Sequence, residues 1–105
     1  MNGVSMKKLQ TKEMDTLFRA VLSLDSVDEC YKFFQDICTV KELQDIAQRL
    51  KAAAMLKKGE NYAVVCRETG MSTATVSRVN KCLGYGEGGY EMVLERIGDD
   101  EPDAK

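Results

Sequence analysis

The sequence predicts an all-α domain of six helices, on three observations. Apolar residues recur at three- and four-residue spacing in one stretch after another. Several of those stretches open on serine, threonine or asparagine, which suit a helix N-cap, and close on glycine. No run reads as a credible strand.

The first helix is expected from Lys7 to about Leu24, where Leu9, Met14, Leu17, Phe18, Val21 and Leu22 share a face. Ser26-x-x-Glu29 has capping-box form and launches a second helix with the stripe Val27, Cys30, Tyr31, Phe34 and Ile37. Thr39-x-x-Glu42 repeats the signal and opens the strongest helix, the expected spine of the core. It runs through Leu43, Ile46, Ala47, Leu50, Ala53, Ala54 and Leu56 to a stop at Gly59. Asn61 can cap a fourth helix and Ser72 a fifth, with Gly84 ending it; after a glycine-rich linker, Tyr90, Val93, Leu94 and Ile97 mark a sixth. That linker lacks the strand-to-helix setting of a phosphate-binding loop. The expected organisation is a flexible lead over 1–6, a helical domain over 7–98 and an acidic, disordered tail over 99–105.

The most informative segment is 62–83, two short helices joined by a tight turn. Gly70 can take a left-handed conformation without a Cβ penalty, and the Ser72 hydroxyl can accept an orphan amide of the next helix. Val76, Val79 and Leu83 then form one apolar face, while Val65 and Val76 can fill the angle between the helices where small Cys66 permits a close crossing. The other face carries Thr73, Ala74, Thr75, Ser77, Asn80 and Lys81. Such short side chains let a helix backbone sit deep in a major groove about 12 Å wide, with hydroxyls, an amide and a methyl for base edges. The segment therefore reads as a DNA-binding helix-turn-helix, against the alternative of an ordinary helical hairpin.

Charge supports the first reading once it is divided along the chain. The net charge is −2, yet residues 41–82 carry eight basic and four acidic groups, a surplus of +4, which leaves −6 on the remainder. A basic segment over the turn is the electrostatic footprint of phosphate contacts, for which Lys57, Lys58 and Lys81 are the candidates. Four cysteines without Cys-x-x-Cys spacing, in a chain with no histidine, give little support to a metal site. Nothing resembles a nucleophile elbow or a phosphate loop, so an enzyme is not expected. No apolar run is long enough to span a bilayer and no signal-peptide pattern is present, so a cytoplasmic protein without a membrane partner is expected.

The chain resembles the Trp-repressor family, and within it the YerC/YecD group. The resemblance covers most of the sequence and is most specific from Thr39 to Leu83: Thr39-x-x-Glu42, Gln48-Arg49, the stop from Leu56 to Glu60, and the run Gly70 to Asn80. It implies a six-helix subunit whose N-terminal helices interlock with those of a second copy, so that a homodimer places two helix-turn-helices on a palindromic site in double-stranded DNA. It also implies repression as the mode of action. The recognition helix would begin at Ser72, Thr73, Ala74 and Thr75, with Ser77 and Asn80 further along.

The family's effector pocket corresponds to Thr39, Arg49 and Arg78. The glycine that leaves room for an indole ring after the second arginine is Val79 here, and the serine that receives the ammonium is Cys82. An isopropyl group in a slot for a flat ring closes it, so tryptophan is not expected as corepressor. Arg49 and Arg78 then either line a smaller pocket for an unidentified effector or serve as phosphate or carboxylate partners within the fold. A different class of function remains open at this point: a protein-interaction module in which the helix-turn-helix is structural and DNA binding is weak and non-specific.

Overall fold

A computed structural model describes residues 6–98. The described residues form six helices of eight residues or more, preceded by a single turn, and no strand. The turn is α1 (Met6–Leu9), followed by α2 (Lys12–Leu22), α3 (Val27–Ile37), α4 (Val40–Lys57), α5 (Tyr62–Thr69), α6 (Thr73–Tyr85) and α7 (Gly89–Ile97). The all-α, six-helix expectation holds. The expected tail over 99–105 and most of the expected lead, residues 1–5, lie outside the described residues. The chain divides into two compact units, with the division between Gln44 and Asp45 inside α4.

In the N-terminal unit the helices are set by their caps. The helix expected from Lys7 to Leu24 is divided, because Thr11 is extended and its hydroxyl accepts the Met14 amide at 3.0 Å, starting α2 afresh at Lys12. Ser26 accepts the Glu29 amide at 3.1 Å, while the Glu29 carboxylate takes the amide of Asp25 at 2.8 Å, one residue earlier than in the reciprocal box. Thr39 and Glu42 do form the full box, with the Glu42 amide on Thr39 Oγ1 at 3.0 Å and the Thr39 amide on Glu42 Oε1 at 2.8 Å. Neither α2 nor α3 has a buried residue. Phe33 and Phe34 meet edge to face with ring centroids 5.2 Å apart.

The C-terminal unit holds the core. Ala52 and Ala53 of α4, Val65 of α5, and Val76 and Val79 of α6 are buried, and Met55, Leu56, Tyr62, Cys66, Met71, Leu83, Tyr90 and Leu94 pack around them. Two adjacent alanines let neighbouring helices approach α4 closely; the buried pair is Ala52 and Ala53, with Ala54 only half-buried. α4 stops as expected at Gly59, whose φ is +96°. There the Glu60 amide reaches the Met55 carbonyl at 3.1 Å and the Gly59 amide the Leu56 carbonyl at 3.0 Å, a full Schellman ending.

Two expectations are corrected. α6 passes through Gly84 and ends at Gly86, where a Cβ would lie 2.5 Å from the Cys82 carbonyl oxygen, so the closer backbone approach occurs at the second glycine. In α7 the apolar stripe is only partly used: Tyr90 and Leu94 pack on the core, whereas Val93 and Ile97 remain exposed. No described helix is long and apolar enough to cross a membrane.

Candidate nucleic-acid interface

The local sequence from Asn61 to Ser72 dictates the geometry of the turn. Asn61 Oδ1 accepts the Val64 amide at 2.9 Å and starts α5. Gly70 ends it at φ +74°, ψ +8°, with its amide on the Cys66 carbonyl at 2.8 Å. Thr69, which the sequence reading did not single out, ties the turn on both sides. Its hydroxyl donates to the Val65 carbonyl at 2.7 Å and accepts the Met71 amide at 3.2 Å. Ser72 Oγ then accepts the Thr75 amide at 3.2 Å and opens α6. Across the angle Val65 and Val76 are fully buried, and Cys66 Sγ lies 3.8 Å from Thr73 Oγ1, in keeping with a small residue at the crossing.

This frame leaves Ser72, Thr73, Ala74, Ser77, Asn80 and Lys81 exposed. Thr75 differs from its neighbours. It is half-buried and its hydroxyl lies 3.0 Å from that of Ser72, so it both supports the cap and borders the exposed face. Ser77, Asn80 and Lys81 line a groove of about 500 Å³ together with Lys57 and Leu56 of α4, Tyr62 of α5, and Glu91 of α7. Lys57 Nζ is held 3.4 Å from Glu91 Oε1. Lys58 is exposed in the last turn leading to Gly59 and is not among the groove-lining residues. Further along, Lys51 Nζ reaches the Glu68 carbonyl at 3.4 Å and Arg67 Nε lies 3.8 Å from Glu68 Oε2.

Tyr62 and Glu91 belong to the groove and are not site residues in the sequence reading, whose only signal for them is polarity or aromaticity beside the basic segment; Tyr85, a candidate only for protein docking, lines the same groove. The structure thus gathers Lys57 of α4 with Ser77, Asn80 and Lys81 of α6, while Ser72 to Thr75 form the cap and first turn of α6.

Arg49 and Arg78 are exposed and both act electrostatically on Tyr90. Burial, and next the charge of Cys82, push the Tyr90 phenol above its ordinary range, and the two arginines pull in the other direction. Val79 is only 3% exposed, so its isopropyl group is part of the core. Thr39 lies in the N-terminal unit, where its hydroxyl caps α4. Gln48 Oε1 is buried with no hydrogen-bond partner among the described residues. Cys30, Cys38, Cys66 and Cys82 are half-buried free thiols, and no group of three or more histidine, cysteine or acidic side chains is placed to hold a metal among the described residues.

The family profile described as Trp repressor protein matches residues 12–98. The uncharacterized protein YerC of Bacillus subtilis is 48% identical over 101 residues, covering 96% of this chain and 97% of the relative. A solved TrpR-like protein from Eubacterium eligens superposes with a TM-score of 0.86 at 46% identity, covering 90% of this chain and 98% of that one. A second solved structure, from Staphylococcus aureus, gives 0.85 at 45% identity, with 90% and 95% covered.

Proposed function

The chain belongs to the Trp repressor family, and from that membership we propose that it is a cytoplasmic, sequence-specific DNA-binding regulator of transcription, a repressor that occupies a palindromic operator as a homodimer. The observation that carries this reading is the turn itself. A left-handed Gly70, the Thr69 clasp and the Ser72 cap hold α6 at a fixed angle with a small, polar and exposed outer face. On that face Ser72, Thr73, Ala74, Thr75, Ser77 and Asn80 read base edges, and Lys81 with Lys57 and Lys58 at the end of α4 contacts phosphates.

The homodimer is supported by the N-terminal unit, whose Phe18, Leu22, Val27, Tyr31 and Ile37 are each more than half exposed. That is more apolar surface than a small soluble chain leaves in water without a partner. For the effector, Val79 in the core argues against a slot for an indole ring, and the charges of Arg49 and Arg78 already act on the chain's own Tyr90. Tryptophan is therefore not the corepressor in this reading. Any effector held by Arg49 and Arg78 is a smaller molecule.

The test is capture of fragmented genomic DNA by the purified protein at about 150 mM salt, where non-specific binding is weak, with sequencing of the retained fragments. A palindromic site is expected. Replacing Thr73 and Thr75 with Glu should abolish its enrichment in a protein that stays folded. Binding no tighter than about 10⁻⁴ to 10⁻⁶ M for every sequence would instead mark the helix-turn-helix as structural and the protein as an interaction module.

A further inference from the structure

The groove beside α6 contains a carboxylate, Glu91, a charge that repels phosphate. Glu91 projects from α7 to within 3.4 Å of the Lys57 ammonium, and both side chains line the same groove as Ser77, Asn80 and Lys81. The side chains of the pair are 41% and 59% exposed, so water competes for both ions and the contact is weak enough to exchange. Duplex DNA presents a negative charge every ~1.7 Å along its axis, a far denser field than one carboxylate. Tyr62 and Tyr85, both phenols, also line the groove, and Tyr85 is 77% exposed. Groups of this kind hydrogen-bond phosphate and sugar oxygens without reading sequence.

We propose that the Lys57 side of this groove, across from Ser77 and Asn80, contacts the sugar-phosphate backbone of bound DNA, and that Glu91 is an electrostatic brake on it, occupying Lys57 until a phosphate displaces the carboxylate. The inference rests on the DNA-binding reading and extends the interface onto α7. Its consequence is a built-in limit on affinity. Each encounter must break the Lys57 to Glu91 pair and leave Glu91 facing a phosphate. The brake acts on every sequence equally, because it touches the backbone, and so it suppresses non-specific adhesion as well as operator binding.

The test compares wild type, Glu91→Gln, Lys57→Gln, the double variant, and Glu95→Gln, which removes the same charge one turn further along α7. Binding to a labelled duplex is followed by fluorescence anisotropy across a salt series. Glu91→Gln is expected to bind about two- to fivefold tighter at physiological salt, the range that an exposed ion pair supports. Its log affinity should fall more steeply with log salt, by up to about 0.9 in slope, because Lys57 then releases a counterion that Glu91 had replaced. The gain should vanish in the Lys57→Gln background, since the two changes act on one pair. A gain equal to that of Glu95→Gln, or one that persists without Lys57, would reduce the effect to net charge and overturn the brake while leaving DNA binding intact. Failure of wild type and Glu91→Gln alike to bind any duplex would instead remove the DNA-binding reading, and the brake with it.

Discussion

Up to Gln44 no residue of α2 or α3 is buried, whereas the stretch from Asp45 onward holds five residues at 3% exposure or less. The N-terminal helices are shaped locally, by Thr11, Ser26 and Thr39 and the amides they satisfy. The C-terminal helices are shaped by packing, around Val65, Val76 and Val79. Helices of eleven residues are marginal on their own in water, so caps can place α2 and α3 but cannot hold them. The contrast gives the two halves different character: one holds a core and presents α6, and the other leaves an apolar face that a second copy would cover in the proposed homodimer.

The largest expected effect tests that assignment directly. Replacing Phe18 and Leu22 with Ser should cost about 3 kcal/mol or more per subunit if a partner buries both, at roughly 1.5 to 3 kcal/mol each. The mass in light scattering should fall to that of a monomer, and the wild-type unfolding midpoint should drop on dilution. A monomeric wild type with a midpoint independent of concentration would break the comparison. The counterpart in the other half is Val76→Ala, expected to cost about 2 kcal/mol from two lost carbons and the cavity they leave. Its loss should appear in urea unfolding at unchanged oligomeric mass.

Smaller effects separate backbone from packing. A Cβ at Gly70 would meet nothing within 4 Å, so Gly70→Ala carries only the conformational cost of φ +74°, about 1 to 2 kcal/mol, and Gly70→Asn should recover part of it. Thr39→Ala should cost about 1 kcal/mol through the lost cap of α4, measured as a shift in thermal midpoint.

Much of this was legible in the sequence because it is local. The helix-turn-helix is written in neighbours: Asn61 before α5, Gly70 after it, Ser72 before α6, and Val65 and Val76 at positions that must face each other. Gly84 was misread because two glycines stand close together, and only the approach of the Cys82 carbonyl to Gly86 decides which of them ends the helix. The break at Thr11 was missed since apolar spacing continues across it from Leu9 to Met14, and periodicity cannot register a cap inside a run. The groove joins Lys57, Tyr62, Lys81 and Glu91 from four helices, so its composition depends on packing angles that no local pattern records. Thr69 falls between these cases, a residue whose hydroxyl bonds are local but whose importance follows from the turn it clasps.

The smallest expected effect lies in the C-terminal unit, where a tyrosine couples packing to charge. Tyr90 packs on the core from α7, and burial first and the charge of Cys82 second raise its phenol above the usual value near ~10. The folded state therefore holds that proton more tightly than the unfolded chain does. Its contribution to stability is complete below pH ~10 and is lost as pH rises through the higher folded value. Against Tyr90→Phe, wild type should thus lose relative stability only in the alkaline range, with a constant difference below it. Arg49 and Arg78 oppose the shift, so Arg49→Gln should move the phenol titration further up, and Cys82→Ser should move it down. Opposite responses to these two changes would place both groups within electrostatic reach of one hydroxyl. No response to either change would mean that burial alone sets the phenol, and that the arginines are available to a ligand rather than engaged with the chain's own side chain.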